Sequence, residues 1–265
     1  MKENGAKGRA RFLPWILPFG CLLLWLAASW GGTVPSYQLP RPLDVGIAGY
    51  RYIFGTRGEA PFAGRFPDDV LASLIRVGAG FSTAVLLGLP LGVVSGRSSA
   101  FRRSLETTIN GLRAVPGISW LPLAIVWFGI GMKTTLFLVA LAAFFPIYLN
   151  AEAGARQVDP LLLEAGAMMG VKPIRSIFTI VFPGSMPHIV TGLRLGLGIS
   201  WAYLVLGELS GASSGLGAVI MDARMVGRTD MIVVGIMLIA AIGRLSDKLL
   251  MTLMRLCFKS VRRMA

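Results

Sequence analysis

The residues of this chain that could do chemistry are few, and they do not form a catalytic set. The sole histidine, His188, has no Glu or Cys at the spacing of a metal ligand, so we expect it to pack or to form a hydrogen bond. Neither a buried acid/base pair nor the Gly-x-x-x-x-Gly-Lys-Ser/Thr loop that holds nucleotide phosphates is present. The sequence therefore predicts no metal, no cofactor and no enzymatic activity.

The other chemistry that the sequence suggests is partner recognition. Its strongest signal is a segment with polar residues that lies between two apolar runs. Asp159-Pro160 is typical of a helix start, and Gly170 suits a left-handed helix stop. A second helix is expected from Lys172-Pro173 to Pro183-Gly184. Such a pair of amphipathic helices could cover its own bundle, or its apolar face could enter a groove on a partner. The residues alone leave both possibilities open.

A few polar side chains inside an apolar stretch could meet an ionic solute. Charge within a membrane span is costly, which makes Arg194 a candidate counter-charge for an anion, although it could instead snorkel or pair with a loop. Glu208 suits a gate or a cap. The candidates for lining a translocation pathway are Arg194, Ser200, Trp201, Tyr203 and Glu208, and bundle packing uses the same residue types.

The elements that must position these residues are membrane spans. Of the 265 residues, 54% are apolar and only 15% are charged, unlike a soluble domain of this length. Several runs reach the roughly 20 residues that a helix needs to cross the bilayer. We therefore predict an all-α, polytopic membrane protein with six transmembrane helices, at about residues 13–31, 77–96, 114–131, 134–151, 186–207 and 231–251.

The same pattern divides the chain into three parts. Residues 1–66 would hold a cytoplasmic N-terminus, the first transmembrane helix and an outer loop; residues 67–252 a transmembrane domain whose loop 152–185 carries the helix pair; residues 253–265 a basic tail. The first apolar run could be a cleaved signal peptide, but its length and its flanking Trp15 and Trp30 favour retention.

Cation placement predicts the orientation. With both termini in the cytoplasm, inner segments hold more than twice as many of the 26 Lys and Arg residues as outer segments do. The net charge of +13 is thus assigned to membrane-flanking clusters, and no nucleic-acid partner is expected. Cys21 and Cys257 do not form a disulfide framework.

Two further patterns concern the bundle. Small residues recur four apart on two spans, which in lipid permits close helix approach: Gly80, Ala84, Gly88, Gly92 and Gly96, then Gly192, Gly196 and Ser200. Before the second span, Asp68 to Arg76 has carboxylates at its start and apolar residues at 70, 71, 74 and 75. That pattern predicts a short amphipathic helix on the membrane surface.

The segment around Glu164 also resembles a known motif. Glu164-Ala165-Gly166, Gly170 and Ile180-Val181-Phe182-Pro183 are similar to the EAA loop in permease subunits of bacterial binding-protein-dependent ABC importers. The family has Ala at the position of Gly166 and Leu at that of Phe182. The resemblance covers Pro14 to about Phe258 and is closest to the aliphatic sulfonate, taurine and nitrate branch. Matching stretches include Leu39-Pro40-Arg41-Pro42, Leu112 to Pro116, Phe145 to Tyr148 and Ser214 to Gly217.

The resemblance implies a type I importer permease in the bacterial inner membrane. Two copies of the permease would form the pathway, two cytoplasmic ATP-binding subunits would drive it, and a periplasmic or extracellular binding protein would deliver the solute. The implied ATPase-coupling residues are Glu164, Ala165, Gly166, Gly170, Ile180, Phe182 and Pro183. Alkanesulfonates are the implied cargo, with taurine, nitrate and a thiamine-precursor pyrimidine as alternatives, and an ATP-independent channel or carrier as the other class.

Overall fold

The computed structural model describes residues 4–30 and 34–258, with all their side chains except those of residues 4–15 and 257. These residues form helices and turns, with one isolated bridge between Arg57 and Ala60 and no strand. The helices are α1 (Asn4–Trp30), α2 (Pro42–Phe54), α3 (Phe66–Arg97), α4 (Ser99–Ala114), α5 (Leu121–Phe128), α6 (Met132–Arg156), α7 (Pro160–Met168), α8 (Pro173–Ser176), α9 (Phe182–Leu209), α10 (Leu216–Met225) and α11 (Thr229–Cys257). The all-α prediction is confirmed for this part of the chain.

Four of the helical stretches are long and apolar enough to cross a membrane: α3, α6, Pro173–Leu209 and Thr229–Leu256. Helix α4 and the stretch Gly117–Phe128 pass the same test together, but they meet at a bend of 88°. Within α1, Ile16–Trp30 is a shorter apolar helix. The chain is thus a multi-pass membrane protein, in agreement with the predicted class.

The predicted span 114–131 is not one straight helix. Helix α4 ends at Ala114, Val115 is extended, and a 3-10 turn (Gly117–Trp120) leads into α5. Pro116 explains the break, because its ring disfavours helical geometry at the preceding residue and it has no N–H to donate. A bent pair therefore replaces the expected third span.

The described chain forms two compact units. One combines the described residues up to Pro67 with Val219–Met237, and the other combines Asp68–Ala218 with the described residues from Leu238 onward. We call them the small unit and the large unit.

Helix α6 lies at the centre of the large unit, between α3 and α9. A Cβ added at Gly92 would lie 2.5 Å from the carbonyl of Tyr148, and one at Gly192 would lie 2.7 Å from Cβ of Asn150. Both ladders of small residues therefore permit close backbone approach, as expected where dispersion holds helices together in lipid. The core that results includes Ala143, Ile147, Ala151, Met186 and Leu193.

The expectation of a surface helix at residues 68–76 is wrong. These residues form the first turns of α3, and Asp69, Ser73 and Arg76 are buried while Leu71 and Ile75 are exposed. The segment is an amphipathic helix, as its pattern predicts, but its polar side faces protein and its apolar side faces outward. Such inversion is favourable in lipid, where a buried polar side chain needs protein partners.

The expectation of a helix end at Pro183-Gly184 is also wrong. Helical structure continues from Pro173 to Leu209, through a π-helical turn at Ile177–Val181. Pro183 lies in the first turn of α9. Proline is tolerated in a first turn, and a π turn alters the regular bonding just before it. The second helix of the loop and the fifth predicted span are therefore one continuous element.

The small unit contains a helix that the sequence analysis missed. Helix α2 begins at Pro42 after the Leu39-Pro40-Arg41 stretch and buries Val45, Ala48 and Tyr52. Trp25 donates its indole N–H to the carbonyl of Pro40 at 3.0 Å. Proline at the first helical position was the signal that could have predicted it.

Two ion pairs also lie within the small unit. Arg65 and Asp222 are 3.3 Å apart, and Arg228 and Asp230 are 2.6 Å apart. The hydrogen bonds to Asp230 raise the pKa of the Arg228 guanidinium above its ordinary value. Both cations thus stay charged and paired with carboxylates of their own unit.

Candidate functional site

Helix α7 is shaped by its two ends. Asp159 accepts a hydrogen bond from the Leu161 amide at 2.9 Å, as the N-cap prediction required. At the other end Gly170 has φ +78°, and the Val171 amide donates to the carbonyl of Gly166 at 2.9 Å. A glycine in the left-handed region closes the helix without steric cost. The turn is therefore rigid and sharply defined.

The inner side of α7 packs on the large unit. Gly166 is buried, and a Cβ added there would lie 2.6 Å from Cδ1 of Ile180. Ile180 and Phe182 pack against the core cluster, and the Phe182 ring lies 6.0 Å from that of Phe258. The small residue at 166 thus lets α7 approach Ile180 closely.

The outer side of the same element is exposed and apolar. Met168 is 89% exposed and Met169 is 78% exposed, although both side chains are apolar. Four more apolar side chains are exposed on α7 and on the helix after the turn. We call this surface the docking knob: Leu161, Leu162, Met168, Met169, Ile174 and Phe178. Glu164 is exposed as well, and Ala165 and Pro183 lie at the surface.

The two possibilities left by the sequence are therefore both present, on opposite sides of α7. Its inner side covers the bundle, and its outer side presents a contiguous apolar surface around a glycine turn. Flexible methionines at such a surface suit a protein partner.

At the other end of α9, Glu208 is fully buried in a polar cluster. Arg76 donates to its Oε1 at 2.6 Å, Ser73 donates to the carboxylate at 2.9 Å, and the Gly217 amide donates at 2.8 Å. Arg76 also donates to the carbonyl of Ser214 at 2.6 Å. A buried carboxylate is tolerated only with such partners. Glu208 is thus committed to structure rather than facing open space.

The same cluster fixes the loop after α9. The amides of Gly215 and Leu216 donate to Asp69 Oδ1 at 2.9 Å and to Ser73 Oγ at 3.0 Å. The loop that follows α9 is therefore tied to α3. We call Asp69, Ser73, Arg76, Glu208 and the loop 214–217 the anchor cluster.

Three other pathway candidates have partners within the large unit. Arg194 forms two hydrogen bonds with the Asp247 carboxylate, at 2.9 and 3.0 Å. Ser200 donates to the carbonyl of Gly196, and Trp201 donates to Ser246 Oγ at 2.9 Å. His188 contacts Gln157 at 2.9 Å, a hydrogen bond of the kind expected for it.

Tyr203, the remaining candidate, lines a cavity. The cavity has a volume of about 330 Å³ and also contains Arg113, Trp120 and Pro146 in its wall. Arg113 was not among the pathway candidates of the sequence analysis, because it stands at the edge of an apolar run. Pro116, three residues later, was the signal that α4 bends there.

No group of three or more His, Cys, Asp or Glu side chains in the described residues could hold a metal ion. The spans define a multi-pass membrane protein, and the docking knob leaves apolar side chains exposed on it.

Comparison with known proteins identifies the family. Residues 88–262 match the family described as the inner membrane component of binding-protein-dependent transport systems, and the chain belongs to that family. It is a transport subunit of an ABC importer, in which ATP hydrolysis belongs to a separate subunit.

Several curated relatives are similar over most of their length. The protein of Bacillus subtilis (strain 168) named as an aliphatic sulfonates transport permease, SsuC, is 33% identical over 97% of this chain and 91% of its own length. The taurine transport system permease protein TauC of Escherichia coli (strain K12) is 38% identical over 90% of this chain and 87% of its own.

A solved structure shares the fold. An inward-facing form of the MetNI methionine ABC transporter is similar with a TM-score of 0.58 at 20% identity, covering 70% of this chain and 94% of that chain. The importer permease fold, including the predicted class, is thereby confirmed.

Proposed function

We propose that this permease subunit imports a small anionic solute, with aliphatic sulfonates as the cargo. The observation that carries the cargo assignment is the 33% identity to the aliphatic sulfonates permease SsuC over 97% of the chain. Taurine is the second candidate, because TauC is 38% identical and taurine contains the same sulfonate group. Nitrate and a thiamine-precursor pyrimidine are the remaining alternatives within the same machinery.

We propose that the docking knob is where a cytoplasmic ATPase subunit attaches. Its exposed apolar side chains, with Met168 at 89% exposure, suit insertion into a groove of a partner. Glu164 is exposed beside them, where its carboxylate could pair with a cation of that partner. Burial of such side chains stabilises a complex by roughly 1.5–3 kcal/mol each.

Movement at the knob would reach the membrane through α9. The second half of the knob belongs to the continuous helix Pro173–Leu209, so no flexible joint separates the two. Gly166, seated against Ile180, ties α7 to the same helix. A displacement of the knob by the ATPase would therefore tilt or shift α9.

The proposed assembly contains two copies of the permease, two ATPase subunits and a binding protein on the outer face. Both termini lie in the cytoplasm in this proposal, which rests on the excess of cations in the inner segments. Lipid surrounds the apolar side chains that α3 and α11 expose, such as Leu86 and Leu245.

The cargo is tested by reconstitution. The permease, its ATPase and the binding protein are placed in vesicles, and ATP-dependent uptake of ethanesulfonate, taurine, nitrate and a pyrimidine is compared. Uptake of ethanesulfonate above the others supports the proposal. Uptake of only nitrate or the pyrimidine overturns the cargo, and uptake without ATP overturns the importer assignment.

Coupling is tested with Glu164→Lys, and Glu106→Lys is the matched control because Glu106 is exposed on α4. We expect Glu164→Lys to weaken retention of the ATPase on the affinity-purified permease and to reduce uptake, while Glu106→Lys retains both. Equal retention and uptake in the two variants would contradict the proposed docking.

A further inference from the structure

We propose that Arg113 is the counter-charge for the transported anion, at a binding site in the cavity between the α4–α5 bend, α6 and α9. This inference rests on the proposed import of an anionic solute. The cavity has a volume of about 330 Å³, within the range of small-molecule sites, and lies wholly inside the large unit.

The cavity lies beside the middle of α6 and the second half of α9. Its walls include Leu141 to Leu149 in the middle of α6 and Ile199 to Tyr203 in α9. Arg113 is exposed next to the last residue of α4, beside these two spans. A cation beside apolar spans is costly unless it faces another charge or a water-filled path, which makes Arg113 a functional candidate.

Arg113 differs in its partners from Arg76 of α3 and Arg194 of α9, two other arginines of the large unit. Arg76 is paired with Glu208 at 2.6 Å, and Arg194 is paired with Asp247 at 2.9 Å. Arg113 forms no ion pair and no side-chain hydrogen bond with any residue in the described ranges 4–30 and 34–258. Its five N–H donors therefore remain available to an anion of sulfonate geometry.

The bend is built so that a second polar group reaches the same cavity. A Cβ at Gly117 would overlap the hydroxyl of Tyr203, so only glycine there lets Tyr203 lie under the 3-10 turn. Pro146 lies inside α6 and cannot donate to the carbonyl of Ala142, a residue that also lines the cavity. Arg113, Tyr203 and Ala142 thus all line a cavity whose other lining residues are mostly apolar.

This chemistry fits an amphiphilic anion. The sulfonate would accept from Arg113 and Tyr203, and the short alkyl chain would contact Val115, Phe145 and Ile199. Broken helices at membrane depth are expected where they line such a path.

The test restores the charge on a protein that has already folded. Cys21 and Cys257 are first replaced by Ser, Arg113→Cys is introduced, and the full transporter is reconstituted with its ATPase and binding protein. The Cys thiolate then attacks an aminoethyl or a sulfonatoethyl methanethiosulfonate, which forms a mixed disulfide and releases methanesulfinate. The first reagent adds a cation and the second adds an anion.

We expect Arg113→Cys to lower the maximal ethanesulfonate uptake rate at least about tenfold, the size of a lost charged hydrogen bond. The aminoethyl reagent should recover much of the rate, the sulfonatoethyl reagent should recover none, and excess ethanesulfonate should slow both modifications. Arg103→Cys is the matched control, because Arg103 is exposed on the same helix and donates to the backbone carbonyl of Ser99. Neither reagent should change ethanesulfonate uptake by this variant.

The inference is overturned if Arg113→Cys transports like the parent protein, or if the two reagents have equal effects on it. Failure of the proposed function is distinguishable, because the parent transporter would then not accumulate ethanesulfonate at all. Arg113→Lys provides an independent check and should retain more uptake than Arg113→Gln.

Discussion

The two ends of α9 use opposite chemistry. At the Phe182 end, the docking knob leaves large apolar side chains exposed, with Met168 at 89%. At the Glu208 end, the anchor cluster buries a carboxylate at 0% exposure and satisfies it with Arg76, Ser73 and Gly217. Exposed apolar side chains can still bury surface against a partner. The polar groups of the buried network already have their hydrogen-bond partners within the protein.

The difference indicates which end of α9 can move. Hydrogen bonds from α3 and from the loop after α9 fix the geometry of the anchor cluster. At the docking knob, only the inner side of α7 packs against the rest of the protein. A continuous helix joins the two, so a force applied at the knob would act against a fixed Glu208 end. The predictions below test this contrast, from the largest expected effect to the smallest.

The largest effect is expected at the anchor cluster. Glu208→Ala leaves Arg76 buried without its counter-charge, which should lower the free energy of unfolding by about 3–5 kcal/mol. Thermal unfolding in detergent measures the loss. Asp222→Ala is the control, because its ion pair with Arg65 is partly exposed and should contribute less than about 1 kcal/mol. Similar losses in both variants would contradict the contrast.

The double substitution Met168→Asp and Met169→Asp should instead leave stability nearly unchanged. Both side chains are exposed, so the unfolding temperature should stay within a degree or two of the parent. Affinity for the ATPase subunit should fall at least about tenfold, because apolar contact area with the partner is lost. Binding is measured by titration of labelled ATPase. If stability falls as much as binding does, the knob belongs to the core of its own bundle.

Gly166→Ala should have a smaller effect. Its Cβ would meet Cδ1 of Ile180, the flexible end of a side chain, so the cost should stay near about 1 kcal/mol. Combining it with Ile180→Val removes that methyl group and should recover part of the loss, as a double-mutant cycle would show. Strictly additive losses would mean that the close contact at Gly166 does not hold α7 to the bundle.

The smallest effect is expected between the two ends. Arg194→Gln breaks an ion pair whose arginine is 46% exposed, so we expect less than about 1 kcal/mol in stability and no change in uptake affinity. Asp247→Asn should behave alike. A reduced affinity for the anion in Arg194→Gln, absent in Asp247→Asn, would return Arg194 to the pathway and weaken the assignment of Arg113.

The helix-forming signals of the knob could be predicted from sequence because they are local. Asp159 caps α7 and Gly170 ends it through interactions within a few residues. The ladders of small residues were equally predictable, because a spacing of four residues is a local pattern that indicates close packing against another helix. Proline was a less reliable signal of a helix end. A predicted span bends at Pro116, whereas Pro183 lies in the first turn of α9 and helical structure continues through it.

The pairing of charges could not be read in the same way. Arg76 meets Glu208 across 132 residues of sequence, and Arg194 meets Asp247 across 53. The carboxylate partners, Glu208 and Asp247, are ordinary charged residues at the margins of apolar runs. Nothing in the neighbouring sequence marks Arg76 or Arg194 as paired and Arg113 as unpaired. The sequence analysis accordingly named Arg194 as a candidate counter-charge, with snorkelling or pairing as the alternatives. The structure shows Arg194 paired with Asp247, and its pathway role stays a prediction.

The sequence by itself determined that this protein is helical, crosses the membrane several times and contains a segment that resembles an importer coupling motif. Hydrophobic length, capping and motif spacing are properties of residues near one another in the chain. Only the tertiary structure decided which side of each helix is buried and which charges are paired. Those outcomes depend on distant residues that meet when α3, α6, α9 and α11 pack, and a buried charge is stable only where such a meeting supplies its partner.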